Sequence, residues 1–193
     1  SASSAALDPD VYESSEVGVK VAISDDLSLT AAFFESEQTV ARKDDVTGED
    51  VDIKGLTVDG FEADLKGNLT DKFSLVAGFT AMDGETSSGG EPREIPDQML
   101  TLYGTYEISD KAGVAFGFTK QGESNIKNNK PDLVLPSYTR FDMAAYYNIS
   151  DDLVLRFNVE NLTDELYFPH SHSTHQASVG EEKNVRVSIS KKF

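Results

Sequence analysis

Four short segments of nearly the same design divide the chain and limit what it can fold into. They are Ile23-Ser24-Asp25-Asp26-Leu27, Leu69-Thr70-Asp71-Lys72-Phe73, Ile108-Ser109-Asp110-Lys111-Ala112 and Ile149-Ser150-Asp151-Asp152-Leu153. Each joins a hydroxyl residue to an aspartate, side chains that hydrogen-bond nearby backbone and favour a tight turn. Each stands between runs in which apolar and polar residues alternate, as a hairpin requires. Strand side chains change face at every residue, so such a run has one apolar and one polar face. The turns recur about 40 residues apart, a spacing that also suits propeller blades. The blade signature residues are missing, however, and the chain has no tryptophan.

Reading outward from the turns predicts nine strands, over 16–23, 27–40, 55–69, 73–83, 98–108, 112–121, 138–149, 153–161 and 184–193. In the last, Val185, Val187, Ile189 and Phe193 share one face, while Arg186, Ser188, Ser190 and Lys192 share the other. Val17, Val19, Val21 and Ile23 repeat the apolar face, as do Leu27, Leu29, Ala31 and Phe33, then Phe73, Leu75, Ala77 and Phe79. Val114, Phe116 and Phe118 continue it, with Leu153, Leu155, Phe157 and Val159. The opposite faces carry Glu16, Lys20, Glu62, Asp64, Lys66, Arg140, Asp142, Arg156, Asn158 and Glu160. Long polar loops, 41–54, 84–97, 122–137 and 162–183, join the other ends of the strands.

Periodicity alone does not separate a lipid-facing sheet from one packed in a soluble sandwich. Strand length and asymmetry do. Several runs exceed ten residues, enough to cross a bilayer at a tilt, and tight turns on one side with long loops on the other mark an outer-membrane barrel. With the chain ending in the periplasm, the turns are periplasmic and the loops external. Nine strands is an odd number, and an open sheet would leave two unpaired edges in lipid. The chain is therefore expected to be part of a barrel, cut in an external loop.

Composition agrees with this and narrows the alternatives. No apolar run approaches the roughly 20 residues of a spanning helix. A mean hydropathy of -0.36 suits strands whose lumen-facing residues are polar. Without cysteine, neither disulfides nor a thiolate metal site can hold the fold. The net charge of -17, from 34 acidic against 17 basic residues, argues against nucleic acid as a partner and is read as acidic external loops. Residues 1–7 have neither a basic start nor an apolar core, so a signal peptide is not expected within them.

The segments resemble the carboxy-terminal part of TonB-dependent outer-membrane receptors of the siderophore-receptor type. Leu7-Asp8-Pro9 followed by Glu16-Val17-Gly18-Val19-Lys20 is similar to the family's entry to a barrel strand, and Gly60-Phe61-Glu62 to its "G-x-E" strand. Ile95-Pro96-Asp97-Gln98 resembles a proline-led strand start. Pro136-Ser137-Tyr138-Thr139-Arg140-Phe141-Asp142 resembles "P-x-Y-x-x-x-D". Asn158-Val159-Glu160-Asn161-Leu162-Thr163-Asp164-Glu165-Leu166-Tyr167 matches "N-x-x-N-L-x-D-x-x-Y", and the aromatic end at Phe193 resembles a closing barrel strand. The family's plug, its TonB-contacting segment and the earlier strands of its usual twenty-two are not in this sequence, so this segment alone cannot transport.

The resemblance implies an all-β, antiparallel, up-and-down transmembrane β-barrel, of which residues 1–193 supply about nine carboxy-terminal strands. It implies energised uptake of a scarce nutrient, most of all a ferric siderophore, in the bacterial outer membrane. The partners would be the TonB system, through the plug, and membrane lipid and lipopolysaccharide. A passive porin and a secreted β-sandwich adhesin module are the alternatives. No cofactor is called for. Enzyme activity is not expected: nucleophile elbow, H-E-x-x-H, phosphate loop and dinucleotide fingerprint are all missing.

Ligand contact is expected to centre on loop 162–183, where Tyr167 and Phe168 offer flat rings and His170, His172 and His175 offer donors and acceptors. Histidines so close can also ligate a transition metal, although no carboxylate or cysteine completes a ligand set, so none is assigned. Lys127, Lys130 and Lys183 would relieve the acidic surface for an anionic ligand, or meet lipopolysaccharide phosphates. Asp44, Asp45, Glu49, Asp50 and Asp52 lack the spacing of a calcium loop and are read as a solvated acidic loop. Arg140, Asp142, Arg156 and Glu160 are read as lumen charges that face a plug or one another. Asn68, Asn148 and Asn161 match a glycosylation pattern, and are read as inert strand-end residues on the periplasmic side.

Overall fold

The computed structural model describes residues 9–43 and 46–192. Phe193, Asp44, Asp45 and the Leu7-Asp8 pair lie outside the described residues. The strands, in chain order, are β1 (Val11–Ser24), β2 (Leu27–Lys43), β3 (Asp50–Thr70), β4 (Phe73–Thr86), β5 (Gln98–Ser109) and β6 (Ala112–Gln121). They continue with β7 (Ser124–Asn125), β8 (Val134–Leu135), β9 (Tyr138–Ser150), β10 (Leu153–Glu160), β11 (His170–Ser171), β12 (Ala177–Ser178) and β13 (Asn184–Lys191). Nine form one antiparallel sheet in the order β1-β2-β3-β4-β5-β6-β9-β10-β13, each beside its neighbour in the chain apart from the small loop ladders β7-β8 and β11-β12.

All four tight turns form. The hydroxyls of Ser24, Thr70 and Ser109 accept the backbone N–H two residues on, at 3.3 Å in each case. Each turn is also stitched to the strand that follows its hairpin. The carbonyls of Asp26, Lys72, Lys111 and Asp152 accept from the backbone of Asn68, Glu107, Asn148 and Lys192, at 2.7–2.9 Å. Alternation and cross-strand bonding together lock the register, because a slip of one residue would turn every apolar side chain to the polar face.

The apolar face runs unbroken across the sheet. Val17 pairs with Phe33, Phe33 with Phe61 and Phe61 with Ala81. Leu102 pairs with Phe118, Phe118 with Phe141, and Phe157 with both Ala145 and Val187. Rings add contacts between neighbours: Phe33 and Phe61 lie 5.0 Å apart, and Phe118 and Phe141 5.2 Å. No second sheet packs on this face among the described residues. Val17 is 72% exposed, Phe33 63% and Val187 61%. A sandwich would have covered these side chains; a bilayer accommodates them without a second layer.

Gly104 shows how tightly the face is filled. A Cβ there would stand 2.3 Å from Phe116 and 3.1 Å from Phe73, whose rings close over the glycine. Gly104→Val is expected to displace Phe116 and cost about 1–3 kcal/mol, read as a lower urea midpoint for the whole protein folded in lipid vesicles.

β1 to β4 reach further outward than the alternation predicts. β2 and β3 stay paired up to Lys43 and Asp50, so much of the expected loop 41–54 is ladder, and β4 continues to Thr86. Water bathes both faces there, so apolar spacing gives no signal while the backbone bonds persist. On the outward face the apolar row Val17-Phe33-Phe61-Ala81 gives way to Ser15-Glu35-Asp59-Asp83, cross-strand partners one step further out. Part of the negative charge thus sits on strands at the upper border of the apolar band, not only on loops. Like charges opposite one another destabilise a sheet. Lys54 answers them, its Nζ 3.0 Å from Glu37, and that bond raises its pKa above the ordinary lysine value.

Candidate functional site

The outer ends of β9 and β10 root the longest loop, 162–183, and Asn161 is its keystone. Asn161 is only 1% exposed and has a positive φ of 49°, which asparagine adopts more readily than most residues. Its Oδ1 accepts from Glu165 N at 2.9 Å, and its Nδ2 donates to the carbonyls of Glu165 and Glu181, at 2.9 and 3.0 Å. One side chain thereby ties the start of the loop to its end. Asp164 repeats the device, accepting from Lys183 N at 2.8 Å.

Arg140 and Asp142, on the lumen face of β9, complete the root. Arg140 Nε donates to Asp142 Oδ1 at 2.9 Å, which also accepts from Asn161 N at 2.8 Å. Arg140 Nη1 donates to the Tyr167 hydroxyl at 3.1 Å. The Tyr167 ring lies 4.6 Å from that of Tyr138, and Gly180 closes over it so tightly that a Cβ would meet the ring at 2.2 Å.

Three outer loops dock on one another above the sheet. Asn129 accepts from the Thr86 hydroxyl at 2.7 Å, donates to Ser88 Oγ at 2.8 Å, and bonds through its backbone N–H to the Glu91 carbonyl at 2.8 Å. Asn125 Nδ2 donates to Glu91 Oε2 at 2.7 Å, and Asn128 Oδ1 accepts from Arg93 N at 2.8 Å. Glu94, held at a φ of 59°, reaches loop 162–183 and accepts from Ser171 N at 3.3 Å. Beside this junction a recess of about 590 Å³ opens at the upper lumen, lined by Gln38, Val40, Arg42, Leu56, Thr86, Arg93 and Asn128. Gln38, Leu56 and Thr86 are cross-strand partners on the lumen face, so the recess belongs to the inner wall. Arg42 and Arg93 bring two guanidinium groups to its lining, and Arg93 Nε also lies 3.8 Å from Glu94 Oε2.

Residues 2–162 match the family model described as TonB dependent receptor-like, beta-barrel. The chain belongs to this family. Over 97% of its length it is 28% identical to the probable TonB-dependent siderophore receptor PiuA of Acinetobacter baumannii, of which it covers 28%. It is 28% identical over 94% of its length to the ferripyoverdine receptor of Pseudomonas aeruginosa, covering 25% of that protein. The solved structure of PiuA superposes with a TM-score of 0.80, over 94% of this chain and 28% of that one. The ferripyoverdine receptor bound to ferripyoverdine gives 0.82, at 28% identity, over 97% of this chain and 28% of that one. The ferric-catecholate receptor Fiu of Escherichia coli K12 shares the fold, at 0.84 and 23% identity, over 97% of this chain and 28% of that one. The chain thus spans about a quarter of the length of these relatives, which are receptors.

The sheet is accordingly a portion of a TonB-dependent receptor barrel in the bacterial outer membrane, with its apolar face toward lipid and its polar face toward the lumen. The five expected contact residues do not form one surface. Tyr167 is only 6% exposed, a buried anchor of the root and not an open ring. Phe168 is half-buried, while His170, His172 and His175 are exposed. Lys127, Lys130 and Lys183 are exposed too. Among the described residues no three histidines, cysteines or carboxylates gather as a metal cluster. Arg140 and Asp142 hold the loop root within the receptor wall, whereas Arg156 Nη1 donates to Ser190 Oγ at 3.2 Å. Asn161 stands at the outer, loop end of its strand, not at the periplasmic side expected from the sequence. Nothing in the sequence marks Glu94, and the one trace of Asn125 and Asn129 is the run of asparagines at 125, 128 and 129.

Proposed function

We propose that the whole protein, of which residues 1–193 form a carboxy-terminal portion of the barrel, imports a ferric siderophore across the outer membrane with energy relayed through TonB. The observation that carries this is a lipid-facing sheet whose inner wall is polar, together with relatives named as siderophore receptors. The two outer edges of the sheet, on β1 and β13, have no partner strand among the described residues, and such edges are costly in lipid. Further strands of the same protein would close them, and a plug would occupy the lumen. The chain would bear no enzymatic site; its role is to bind and pass on a ligand.

Ligand contact would fall on the external side, at the exposed part of loop 162–183 with Phe168, His170, His172 and His175, and at the upper-lumen recess lined by Arg42 and Arg93. Arg42 and Arg93 would draw an anionic chelate past the acidic border, with Lys127, Lys130 and Lys183 as outer basic groups or contacts to lipopolysaccharide phosphates. Tyr167 would serve by fixing the loop.

The test is uptake. Cells lacking the whole receptor should lose accumulation of the radiolabelled ferric siderophore of their own species, and collapsing the proton-motive force in wild-type cells should have the same effect. Uptake that continues without that force, rising linearly with concentration, would instead indicate a passive pore.

A further inference from the structure

Loop 162–183 carries the chain's three histidines, and the structure sets one apart from the other two. His172 stands just before a single 3-10 turn, Ser173–His175, and His175 ends it; a backbone bond from His172 N to the Gln176 carbonyl at 2.8 Å closes the segment. The closure brings His172 Nδ1 to 3.2 Å from His175 Nε2, with ring centroids 5.2 Å apart and planes at 80°. His170 lies in the short ladder before the turn, opposite Ser178.

We propose that His172 and His175 form a two-histidine chelate for a divalent transition-metal ion of the copper, nickel or zinc class. Imidazole nitrogens bind such ions at about 2.0–2.1 Å, so two of them on one ion stand about 2.9 Å apart at a right angle and about 3.4 Å apart at a tetrahedral one. The observed 3.2 Å falls inside that window. The same spacing serves a shared N–H···N hydrogen bond, and a metal ion would replace that proton after a modest rotation of each ring. Both rings are exposed, so the exchange needs no opening of the fold.

The chemistry selects the ion. Imidazole suits copper, nickel and zinc, whereas calcium and magnesium take oxygen ligands. Affinity should follow the usual order, with copper highest. A net charge of -17 raises the local concentration of any cation. Two protein ligands leave the other positions to water or to donor atoms of an incoming molecule. The chelate uses two of the histidines proposed above to meet the siderophore, but it concerns the ion alone, and metal binding and uptake are measured separately, so either can fail without the other.

The test uses the full-length receptor, without a polyhistidine tag, purified in detergent. Titration with Cu²⁺ should reveal one equivalent that the His172→Ala/His175→Ala double variant lacks, and electron paramagnetic resonance should show coupling to two imidazole nitrogens. His172→Ala and His175→Ala should each weaken that site about tenfold or more, whereas His170→Ala should stay within about twofold. Ni²⁺ and Zn²⁺ should show the same ranking of variants. Equal binding by the wild type and the double variant would overturn the site. A loss in His170→Ala as large as in the other two would overturn the two-histidine assignment.

Discussion

Leu102→Arg in the whole receptor should lower the stability of the folded barrel by about 2–4 kcal/mol, while Thr101→Arg, one residue away, should change it by less than about 1 kcal/mol. Leu102 lies between Ala77 and Phe118 on the apolar face, in the interior of the band, where a guanidinium would have to be drawn out of lipid. Thr101 points the other way, between Gly78 and Thr119. A Cβ built on Gly78 would stand 3.0 Å from Asp64 Oδ1 and 3.3 Å from Thr101 Oγ1, so an arginine at 101 would meet a carboxylate across the glycine. Urea unfolding in lipid vesicles, followed by the migration of unheated samples on gels, measures both variants. Equal losses would show that the two faces do not differ as lipid and lumen do.

That contrast rests on a pattern already visible in the residues. The four tight turns fix where strands begin, and β6 coincides with its predicted range of 112–121. Inside the apolar band, each strand must show one greasy face, so periodicity and structure report the same physical constraint. Above the band the constraint vanishes. Ala41, Asp52 and Glu85 fall in segments that read as loops by composition, yet they sit on strands held by backbone bonds that ask nothing of the side chains. The error in extent therefore falls at the outer ends of the strands and not at the turns.

The loops were less legible, for a different reason. Tyr167 reads as an open aromatic because its burial depends on groups distant in sequence: Tyr138 and Arg140 on β9, and Gly180 near the far end of the loop. The motifs that carry the family resemblance hold these partners as separate strings, and only the adjacency of β9 and β10 joins them. The same holds for Arg140 and Asp142, which alternation correctly turns away from lipid but cannot assign to the loop root. Histidine spacing was equally silent: H-x-H-x-x-H does not say which two rings meet, and the turn closed at Gln176 decides it.

Because the root gathers on one side chain, Asn161→Ala should release loop 162–183 without opening the sheet. The substitution strands one backbone donor, Glu165 N, and two acceptors, the carbonyls of Glu165 and Glu181. At about 1–3 kcal/mol for each unsatisfied buried group, reduced where water enters, the local cost is about 3–5 kcal/mol. Alanine also tolerates the φ of 49° less well than asparagine. Hydrogen exchange on the whole receptor reads the outcome. The amides of Glu165, Gly180 and Lys183 should exchange about a hundredfold faster or more, since 1.4 kcal/mol is tenfold, while the β9-β10 ladder below Met143 and Val159 keeps its protection. Asn161→Gly separates the two causes, because glycine accepts the positive φ but restores none of the hydrogen bonds. It should behave nearly as badly as alanine. Wild-type protection in Asn161→Gly would place the role of this residue in its backbone angle alone, and the bridge from Glu165 to Glu181 would not be what fixes the loop.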